Sequence, residues 1–343
     1  MKFIHIGVGG FGQCWVRVLK ENKDAEVVGL VDVNEEALRK TCEIGGYSND
    51  ICFRSLEDAI KSVKADAVVS STPPAFHKHD VITAMKAGLD VISEKPMADS
   101  MASCKAMLKA AKETGRMYVV SQNYRYSAPM WTLANVVRSG KLGAIGQVKM
   151  DFFLGVNFGG GFRHEMPFPV IIDMSIHHFD LIRFVTGLDA VKVSGSAWNP
   201  PWSNYKGDCS STALFEMNNG ARVLYNASWC AKGSFCDWNA NWQIECEKGT
   251  VTYRNGEIRV LHVPELYSLE KTEILQHTQP PLTAQHYVLD EFIRCVKTRK
   301  QPNTVAKDNI RSVAMVFAAV KAMETGRKVD VLDSQTLALL KKR

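Results

Sequence analysis

The first third of the chain alternates short apolar runs with segments of helical periodicity. Runs rich in β-branched residues predict strands, and they lie at Lys2 to Ile6, Glu26 to Val31, Ala67 to Ser70, Asp90 to Ser93 and Met117 to Ser121. Apolar residues recur at helical spacing between them, over Val16 to Lys20, Glu35 to Cys42 and His79 to Ala87. Strands and helices that alternate at this length predict a doubly wound parallel sheet.

The pattern changes after about residue 145 to longer runs in which apolar and polar residues alternate. These runs predict strands over Gln147 to Phe153, Ala190 to Ala197, Ser211 to Met217, Ala221 to Ser228, Trp242 to Glu247 and Thr250 to Arg254. The turn sequences Asn218-Asn219-Gly220 and Asn255-Gly256 are typical of β-hairpins, so this sheet should be mostly antiparallel. Two helical segments follow, Ala284 to Thr298 and Lys307 to Thr325.

We therefore predict an α/β protein of two domains. Residues 1–122 carry the doubly wound parallel sheet. Residues 123–343 form an α+β domain with a large, mostly antiparallel open sheet, whose C-terminal helices can pack back on the first domain. The length of 343 residues agrees with two domains of ordinary size.

Composition and charge exclude several classes of protein. Hydrophobic residues make up 46% of the chain and charged residues 23%, which excludes disordered, collagen-like and coiled-coil proteins. The net charge of +6 has no dense basic block apart from residues 341–343, so no nucleic-acid partner is expected. The chain has no apolar run of about 18 residues and no recognisable signal peptide at Met1, so no membrane association is expected.

The nine cysteines are scattered and include no Cys-x-x-Cys pair. This spacing argues against a disulfide framework and a zinc knuckle. Reduced thiols in a chain without a signal peptide predict a cytoplasmic protein.

A glycine-rich segment, Gly7-Val8-Gly9-Gly10-Phe11-Gly12, joins the first predicted strand to the first helix. In such a G-x-G-x-x-G motif the first glycine permits the tight turn, the second lets the backbone approach a pyrophosphate, and the third allows close contact between helix and strand. The helix N-terminus offers N–H groups and a positive dipole to the phosphates. The motif predicts a Rossmann domain; the alternative is a structural glycine turn.

Asp32 strengthens the dinucleotide hypothesis. It ends the second predicted strand, 20 positions after Gly12, where a carboxylate can accept hydrogen bonds from the adenosine ribose. A carboxylate repels the 2′-phosphate of NADP, and neither Val33 nor Asn34 is an arginine that could hold one. We therefore expect NAD, with NADP as the less favoured cofactor.

Two further clusters follow predicted parallel strands, at the ends where ligands bind in open α/β sheets. They are Ser71, Thr72, Pro73 and His77 after one strand, and Glu94, Lys95 and Pro96 after the next. A glycine motif, Thr-Pro-x-x-x-His and Glu-Lys-Pro at this spacing resemble the family of NAD(P)-dependent oxidoreductases that includes glucose-fructose oxidoreductase and inositol 2-dehydrogenase, the Gfo/Idh/MocA family.

A later segment adds to the resemblance. Family members carry Asp-x-x-x-His where this chain has Asp173 and His177, and the i, i+4 spacing places both on one face of a helix. Ser175 stands where many members have glycine. The resemblance extends over essentially the whole chain and implies a homo-oligomer.

The resemblance implies roles for particular residues. Lys95, Asp173 and His177 would be the catalytic group. The cofactor contacts would come from Gly7, Gly9, Gly10, Phe11, Gly12, Asp32, Val33, Ser71, Thr72, Pro73, His77, Glu94 and Lys95. Histidine suits proton exchange near neutral pH, a lysine can stabilise a developing alkoxide, and Asp173 would bind a neighbouring hydroxyl. Individually, Lys95 could instead be a surface residue and His177 a core residue.

Several residues are expected to shape a substrate pocket beside the catalytic group. They are Asn123, Arg125 and Tyr126 at the domain junction, Arg163 after the Gly159-Gly160-Gly161 run, and Trp202, with Trp198 as a second aromatic residue that could stack on a pyranose. The alternative is a packed loop and a flexible turn. No metal is expected, because His177, His178 and Asp180 lack a further ligand at suitable spacing.

These expectations predict hydride transfer between nicotinamide C4 and a ring hydroxyl of a sugar, glycoside or cyclitol, giving a keto-sugar such as a 3-keto pyranoside, with His177 as proton acceptor. A keto-sugar reductase and a redox-neutral enzyme with tightly held NAD are alternatives. A non-catalytic NAD-sensing regulator is an alternative of another class. The strands from Ser211 to Ser228 carry apolar residues on both faces, which predicts a self-association surface.

Overall fold

The computed structural model describes residues 1–233, 235–268 and 271–341. Of the basic cluster at the end of the chain, Lys342 and Arg343 lie outside these ranges. The chain divides into two compact units that interleave along the sequence. Unit 1 comprises residues 1–123 and 282–310 with the last residues from 338 onward, and unit 2 comprises residues 124–281 and 311–337.

A parallel sheet forms the centre of unit 1. Its strands are β1 (Lys2–Ile6), β2 (Glu26–Val31), β3 (Cys52–Phe53), β4 (Ala67–Ser70), β5 (Asp90–Glu94) and β6 (Tyr118–Ser121). Their order in the sheet is β3-β2-β1-β4-β5-β6, and every pair is parallel. The predicted doubly wound sheet is confirmed. Strand β3 was not predicted, because two residues are too few to show a period.

Helices connect the strands of unit 1. They are α1 (Gly12–Glu21), α2 (Glu35–Gly45), α3 (Leu56–Ser62), α4 (Pro74–Lys86) and α5 (Met101–Thr114), and the late helix α9 (Ala284–Thr298) belongs to the same unit. The Asn34 side chain caps α2 by accepting from the N–H groups of Glu36 and Ala37. Strands β4 and β5 are buried along their whole length, as expected for a sheet covered on both faces.

Unit 2 contains a large open sheet. Its strands are β7 (Ile145–Phe153), β8 (Ala190–Trp198), β9 (Ser210–Met217), β10 (Arg222–Ser228), β11 (Asn241–Cys246), β12 (Gly249–Arg254), β13 (Glu257–His262), β14 (Lys271–Leu275) and β15 (Val329–Asp330). The order is β14-β13-β12-β11-β7-β10-β9-β8-β15. Among the described strand pairs of this sheet only β7–β10 is parallel, so the predicted mostly antiparallel sheet is confirmed.

The helices of unit 2 are α6 (Ala128–Arg138), α7 (Phe162–Glu165) and α8 (Ser175–Thr186), and the long helix α10 (Ala306–Thr325) and the last helix α11 (Ser334–Lys341) are divided between the units. One face of the sheet packs against α8, where the ring of Phe179 meets Phe215 on β9 and Tyr225 on β10 edge to face. We call this the inner face; Leu214 on the opposite, outer face is 41% exposed.

A buried ion pair holds α8 to the beginning of unit 2. Arg125 lies in a short 3₁₀ turn, Asn123–Tyr126, and its Nε and Nη2 each donate to one carboxylate oxygen of Asp180 at 2.6 Å. The Ser312 hydroxyl on α10 donates to the same carboxylate at 2.7 Å. Both charged side chains are nearly inaccessible to solvent, so the two charges depend on each other.

This packing corrects two predictions. Arg125 and Tyr126 were expected to face a substrate, but they are 4% and 0% exposed. The Arg125 guanidinium is engaged by Asp180, and the Tyr126 ring packs against Trp131 and Phe184. Both side chains therefore support the fold of unit 2.

Replacing Asp180 by Asn should destabilise the protein strongly, because it leaves the buried Arg125 without its counter-charge. We expect a loss of about 3–5 kcal/mol of unfolding free energy in guanidinium titrations. The control is Arg39→Met, which breaks an exposed ion pair on α2 and should change stability little. The double variant Arg125→Met/Asp180→Leu should recover part of the loss. Equal stability of D180N and the wild type would contradict this role.

Candidate active site

The glycine loop between β1 and α1 is built as its sequence requires. Gly7 has a φ of +81°, and a Cβ there would lie 2.6 Å from the Thr72 backbone nitrogen. A Cβ on Gly12 would lie 1.8 Å from the Gly7 carbonyl oxygen. At Gly9 the nearest atoms are 3.5 Å or more away, and around Gly10 none lies within 4 Å. Two glycines therefore allow close packing, and the space beside the other two leaves room for a ligand.

Asp32 lies next to this space, at the end of β2. Its carboxylate accepts from the Gly9 N–H at 3.2 Å and from the Asn34 N–H at 2.9 Å. Each carboxylate oxygen accepts one of these two bonds, so both oxygens can still accept hydrogen bonds from ribose hydroxyls. Phe11 and Val33 flank the site and are 57% and 77% exposed. The open cradle and its carboxylate fit an adenine dinucleotide.

The loop after β4 supports the glycine loop. The Ser71 hydroxyl donates to the Gly7 carbonyl at 2.9 Å. The Thr72 hydroxyl donates at 2.6 Å to the carboxylate of Asp80, which is buried in α4. These two hydroxyls therefore face protein groups, and what the loop presents outward is its backbone and the exposed Pro73, which precedes α4.

His77 connects the loops after β4 and β5. It is fully buried, with Nε2 2.8 Å from the Thr72 carbonyl and Nδ1 3.1 Å from the Pro96 carbonyl. Burial lowers the pKa of His77, against the weaker opposing effects of the backbone carbonyls and the Asp80 carboxylate, and the ring lies between the two loops. Predicted as a cofactor contact, His77 lies in the interior as a clamp on the segment that carries Lys95.

Glu94 ends strand β5, and Lys95 follows it directly. The buried Glu94 carboxyl accepts from the indole N–H of Trp15 on α1 at 2.8 Å and from the Lys95 N–H at 3.1 Å. Burial raises the pKa of Glu94. Lys95 is half-buried and precedes a cis peptide bond to Pro96. Trp15 was missed by the sequence analysis, because within an apolar helix period an indole that hydrogen-bonds looks like any core residue.

In unit 2, Asp173 and His177 lie on two consecutive helical segments. Asp173 belongs to a π-helical turn, Val170–Met174, and His177 to the first turn of α8. The expectation of one regular helix is therefore corrected, because the π turn is wider than an α turn. The Ser175 hydroxyl at the junction donates to the Ile171 carbonyl. This turn sets the direction in which the Asp173 side chain leaves the helix.

Tyr124 is the ring against which His177 packs. The two rings are stacked with centroids 4.0 Å apart and an angle of 18° between their planes. Burial, followed by the charges of Asp173 and Asp237, raises the pKa of Tyr124 to about 12. The segment from Asn123 to Tyr126 was expected near the substrate, but the stack of Tyr124 on His177 was not predicted, since a 3₁₀ turn gives no period that separates inward from outward residues.

Arg163 holds the Asp173 carboxylate. Its Nε donates to Asp173 Oδ2 at 2.6 Å. The guanidinium also lies over the rings of Phe158 and Phe162, at 4.8 and 4.6 Å from their centroids. Tyr124, Arg163, Asp173 and His177 thus form one cluster of polar and aromatic groups in unit 2.

The other candidates are placed differently. His178 is fully buried, with its ring nitrogens 2.8 Å from the Tyr225 hydroxyl and 3.0 Å from the Trp238 carbonyl, and burial lowers its pKa to about 4. No group of three His, Cys, Asp or Glu residues in the described ranges could hold a metal ion. Asn123 is half-buried at the end of unit 1.

The two tryptophans of the loop after β8 differ in their surroundings. Trp202 is 58% exposed, and its indole N–H donates to the Cys230 carbonyl at 2.9 Å. Trp198 pairs with Ser210 on β9, four residues before Leu214. Since side chains alternate along a strand, Ser210, Leu214 and Trp198 lie on the same outer face of the sheet. Trp198 therefore lies across the sheet from α8, which corrects the suggestion that it could stack on a substrate held by α8.

Two family models match the chain in succession. One, described as the NAD-binding Rossmann fold of an oxidoreductase family, matches residues 1–122. The other, described as the C-terminal alpha/beta domain of that family, matches residues 135–331. The chain belongs to the Gfo/Idh/MocA family of oxidoreductases. It is an NAD-binding oxidoreductase, as the glycine loop and Asp32 predicted.

Similar proteins match this Gfo/Idh/MocA member along nearly its whole length. Uncharacterized protein y4oX of Sinorhizobium fredii is 29% identical over 96% of this chain and 95% of its own. D-apiose dehydrogenase of Paraburkholderia graminis is 23% identical over 95% and 88%. The crystal structure of an oxidoreductase from Agrobacterium radiobacter in complex with NAD+, L-tartaric acid and magnesium has a TM-score of 0.87 at 22% identity, over 96% and 98% of the chains. This last likeness concerns the fold.

Within the described ranges, no helix of this family member has the length and apolar character needed to cross a membrane.

Replacing Asp32 by Ser should shift the cofactor preference from NAD+ toward NADP+. The serine removes a charged acceptor for the ribose hydroxyls and the repulsion of a 2′-phosphate, so the ratio of the two dissociation constants should change by about tenfold or more. Fluorescence titration measures both constants. The control is Glu113→Gln, which removes an exposed charge on α5. An unchanged ratio in D32S would contradict the assignment.

Proposed function

We propose that this oxidoreductase transfers a hydride between a ring hydroxyl carbon of a sugar, glycoside or cyclitol and the nicotinamide of NAD, producing a keto-sugar such as a 3-keto pyranoside in the oxidative direction. The observation that carries the proposal is the cluster in unit 2, in which His177 stacks on Tyr124 and Asp173 is held by Arg163. Relatives named as sugar dehydrogenases support the substrate class.

In this proposal His177 is the proton acceptor. Oxidation of a secondary alcohol removes a hydride from carbon and a proton from oxygen, and a histidine can hold that proton near neutral pH. Tyr124 keeps the imidazole plane fixed by stacking, so little side-chain entropy is lost when substrate binds. Asp173 accepts a hydrogen bond from a neighbouring hydroxyl and thereby selects a vicinal diol.

In unit 1, Lys95 is the residue that we propose as the cation of the reaction. Its ammonium would stabilise the negative charge that develops on the substrate oxygen as the proton leaves. His77 and Glu94 would act through the backbone that carries Lys95, the first by clamping Pro96 and the second by accepting the Lys95 N–H. Bound NAD supplies the hydride acceptor, and the residues of the glycine loop and Asp32 hold it.

A keto-sugar reductase would use the same residues in the reverse direction, and a redox-neutral enzyme with retained NAD would use them in both directions.

A panel of sugars, methyl glycosides and cyclitols, assayed with NAD+ and NADP+, tests the proposal. NADH formation with at least one ring-hydroxyl compound supports it. A rise in NADH that stops at one equivalent per enzyme identifies retained cofactor. NAD+ binding without turnover in either direction would favour the regulatory alternative.

We further propose a cytoplasmic location, supported by nine cysteines that are all free thiols in this structure.

Replacing His177 by Asn should lower kcat by about 10²–10⁴-fold, because the proton acceptor is lost. The affinity for NAD+ should stay unchanged, because the glycine loop and Asp32 lie in unit 1. His262→Asn, a change at a half-buried histidine on β13, is the matched control. Full turnover in H177N would refute the assigned role.

We also propose that the outer face of the unit 2 sheet mediates homo-oligomer formation. Leu214 projects from this face beside a polar network in which Thr212 donates to Asn226 at 2.8 Å and Asn226 donates to Asp151 at 2.7 Å. A flat face of mixed apolar and satisfied polar groups suits a self-complementary contact.

A charge on this face should dissociate the oligomer. Leu214→Arg would bury an arginine from each copy in a symmetric contact, so light scattering should report a lower mass. Ile44→Arg, at an exposed apolar residue on α2, should leave the mass unchanged. A monomeric wild type, or an L214R variant of unchanged mass, would exclude this interface.

A further inference from the structure

Unit 2 carries three largely exposed aromatic rings close to the segments that hold the Asp173 cluster. Phe162, Trp202 and Phe235 are 60%, 58% and 48% exposed, and we call these three rings the aromatic platform. Exposed apolar side chains that lie close together commonly mark a binding site. Neither the hydride transfer nor the binding of NAD requires them.

Trp202 and Phe235 contact two backbone segments that are hydrogen-bonded to each other. The segment after β7 pairs with the segment after β10, since the Leu154 N–H donates to the Ser228 carbonyl and the Val156 N–H to the Trp229 carbonyl, both at 3.0 Å. Trp202 is fixed to this pair by its bond to the Cys230 carbonyl. The ring of Phe235 lies beside Gly155 in the same pair: a Cβ at that glycine would be 3.4 Å from it.

A series of contacts leads from this backbone to the catalytic aspartate. The Trp229 ring meets Phe158 edge to face at 5.0 Å. Phe158 and Phe162 both contact the Arg163 guanidinium, which donates to Asp173. Phe162, one ring of the platform, is therefore linked to Asp173 through the Arg163 guanidinium alone.

Polar groups near the platform are turned toward the protein. The Tyr205 hydroxyl donates to the Val156 carbonyl at 2.7 Å, and the Asn199 amide donates to the Tyr205 carbonyl at 2.7 Å. The Ser203 hydroxyl lies 3.1 Å from the Cys209 sulfur. A second sugar would need outward-facing donors and acceptors for its hydroxyls. A flat apolar substituent needs only exposed aromatic rings against which it can stack.

Cations lie over two rings of the platform: the Arg163 guanidinium over Phe162 and the Lys232 ammonium over Trp202. Lys232 Nζ lies 5.6 Å from the centre of the Trp202 ring and its residue is exposed. An ammonium in this position attracts the face of an electron-rich aromatic ring. The charge therefore complements an aromatic aglycone better than a neutral alkyl chain.

We propose that the substrate is an aryl glycoside, whose sugar is oxidised at the Asp173 and His177 site and whose flat aromatic aglycone stacks on Phe162, Trp202 and Phe235. This inference rests on the proposed function, which it narrows from ring hydroxyls in general to glycosides of phenolic compounds. The aglycone remains attached to the sugar during hydride transfer.

The test compares phenyl and methyl glycosides of the same sugar, with the corresponding disaccharide as a third compound. The wild type should prefer the phenyl glycoside over the methyl glycoside by about tenfold in kcat/KM, as one stacking contact provides. Trp202→Ala and Phe235→Ala should each reduce this ratio by about threefold or more, and Trp202→Phe should retain most of it. The ratio does not depend on the fraction of active enzyme.

Trp198→Ala is the matched control, since it removes an exposed tryptophan from the outer face of the same sheet and should leave the ratio unchanged. A wild-type ratio near one, a preference for the disaccharide, or an unchanged ratio in W202A would overturn the inference. Each of these results leaves the proposed oxidation intact.

Calorimetric binding of the two glycosides in the presence of NAD+ separates the two proposals. Tighter binding of the phenyl glycoside by the wild type, lost in W202A, supports the platform even if no compound is oxidised. Equal binding of both glycosides contradicts the platform, whatever the turnover.

Discussion

The buried pair of Arg125 and Asp180 is the interaction on which the rest of unit 2 depends. Asp180 lies one helical turn after His177 on α8, and Arg125 directly follows Tyr124 in the chain. The pair therefore fixes both partners of the stack that holds the imidazole. A charge pair buried to this degree is costly to form and costly to break, so it tolerates few alternative positions of the helix. This restriction suits the proton acceptor that we propose for His177.

Unit 1 uses hydrogen bonds for the same purpose. Several residues that the sequence suggested as cofactor contacts are turned inward and connect one loop with the next. Ser71 holds the glycine loop, His77 joins the loops after β4 and β5, and Glu94 joins β5 to Trp15 on α1. The outward surfaces of these loops are backbone groups and glycines. A dinucleotide is accordingly met by a preorganised backbone, with Asp32 as the side chain beside the open space.

The sequence predicted the two sheets because hydrophobic period directly reflects burial, and most strand bounds agree within one or two residues. The G-x-G-x-x-G motif also located the glycine loop, since all its residues are neighbours in the sequence. Contacts between segments that are distant in the sequence could not be predicted. Arg125 next to a tyrosine resembles a ligand-binding arginine until Asp180 is seen beside it, 55 positions later. The π turn at Asp173 and the two-residue strands β3 and β15 leave no periodic signal.

The central claim is that a ring carbon of the substrate gives its hydrogen to the nicotinamide. The most direct measurement is the mass of the NADH formed from a glycoside deuterated at every ring carbon. We predict NADH one mass unit heavier than that from the unlabelled glycoside, together with a keto-sugar that has lost one deuterium. Unlabelled NADH, or a product that keeps all its ring deuterium, would contradict the account.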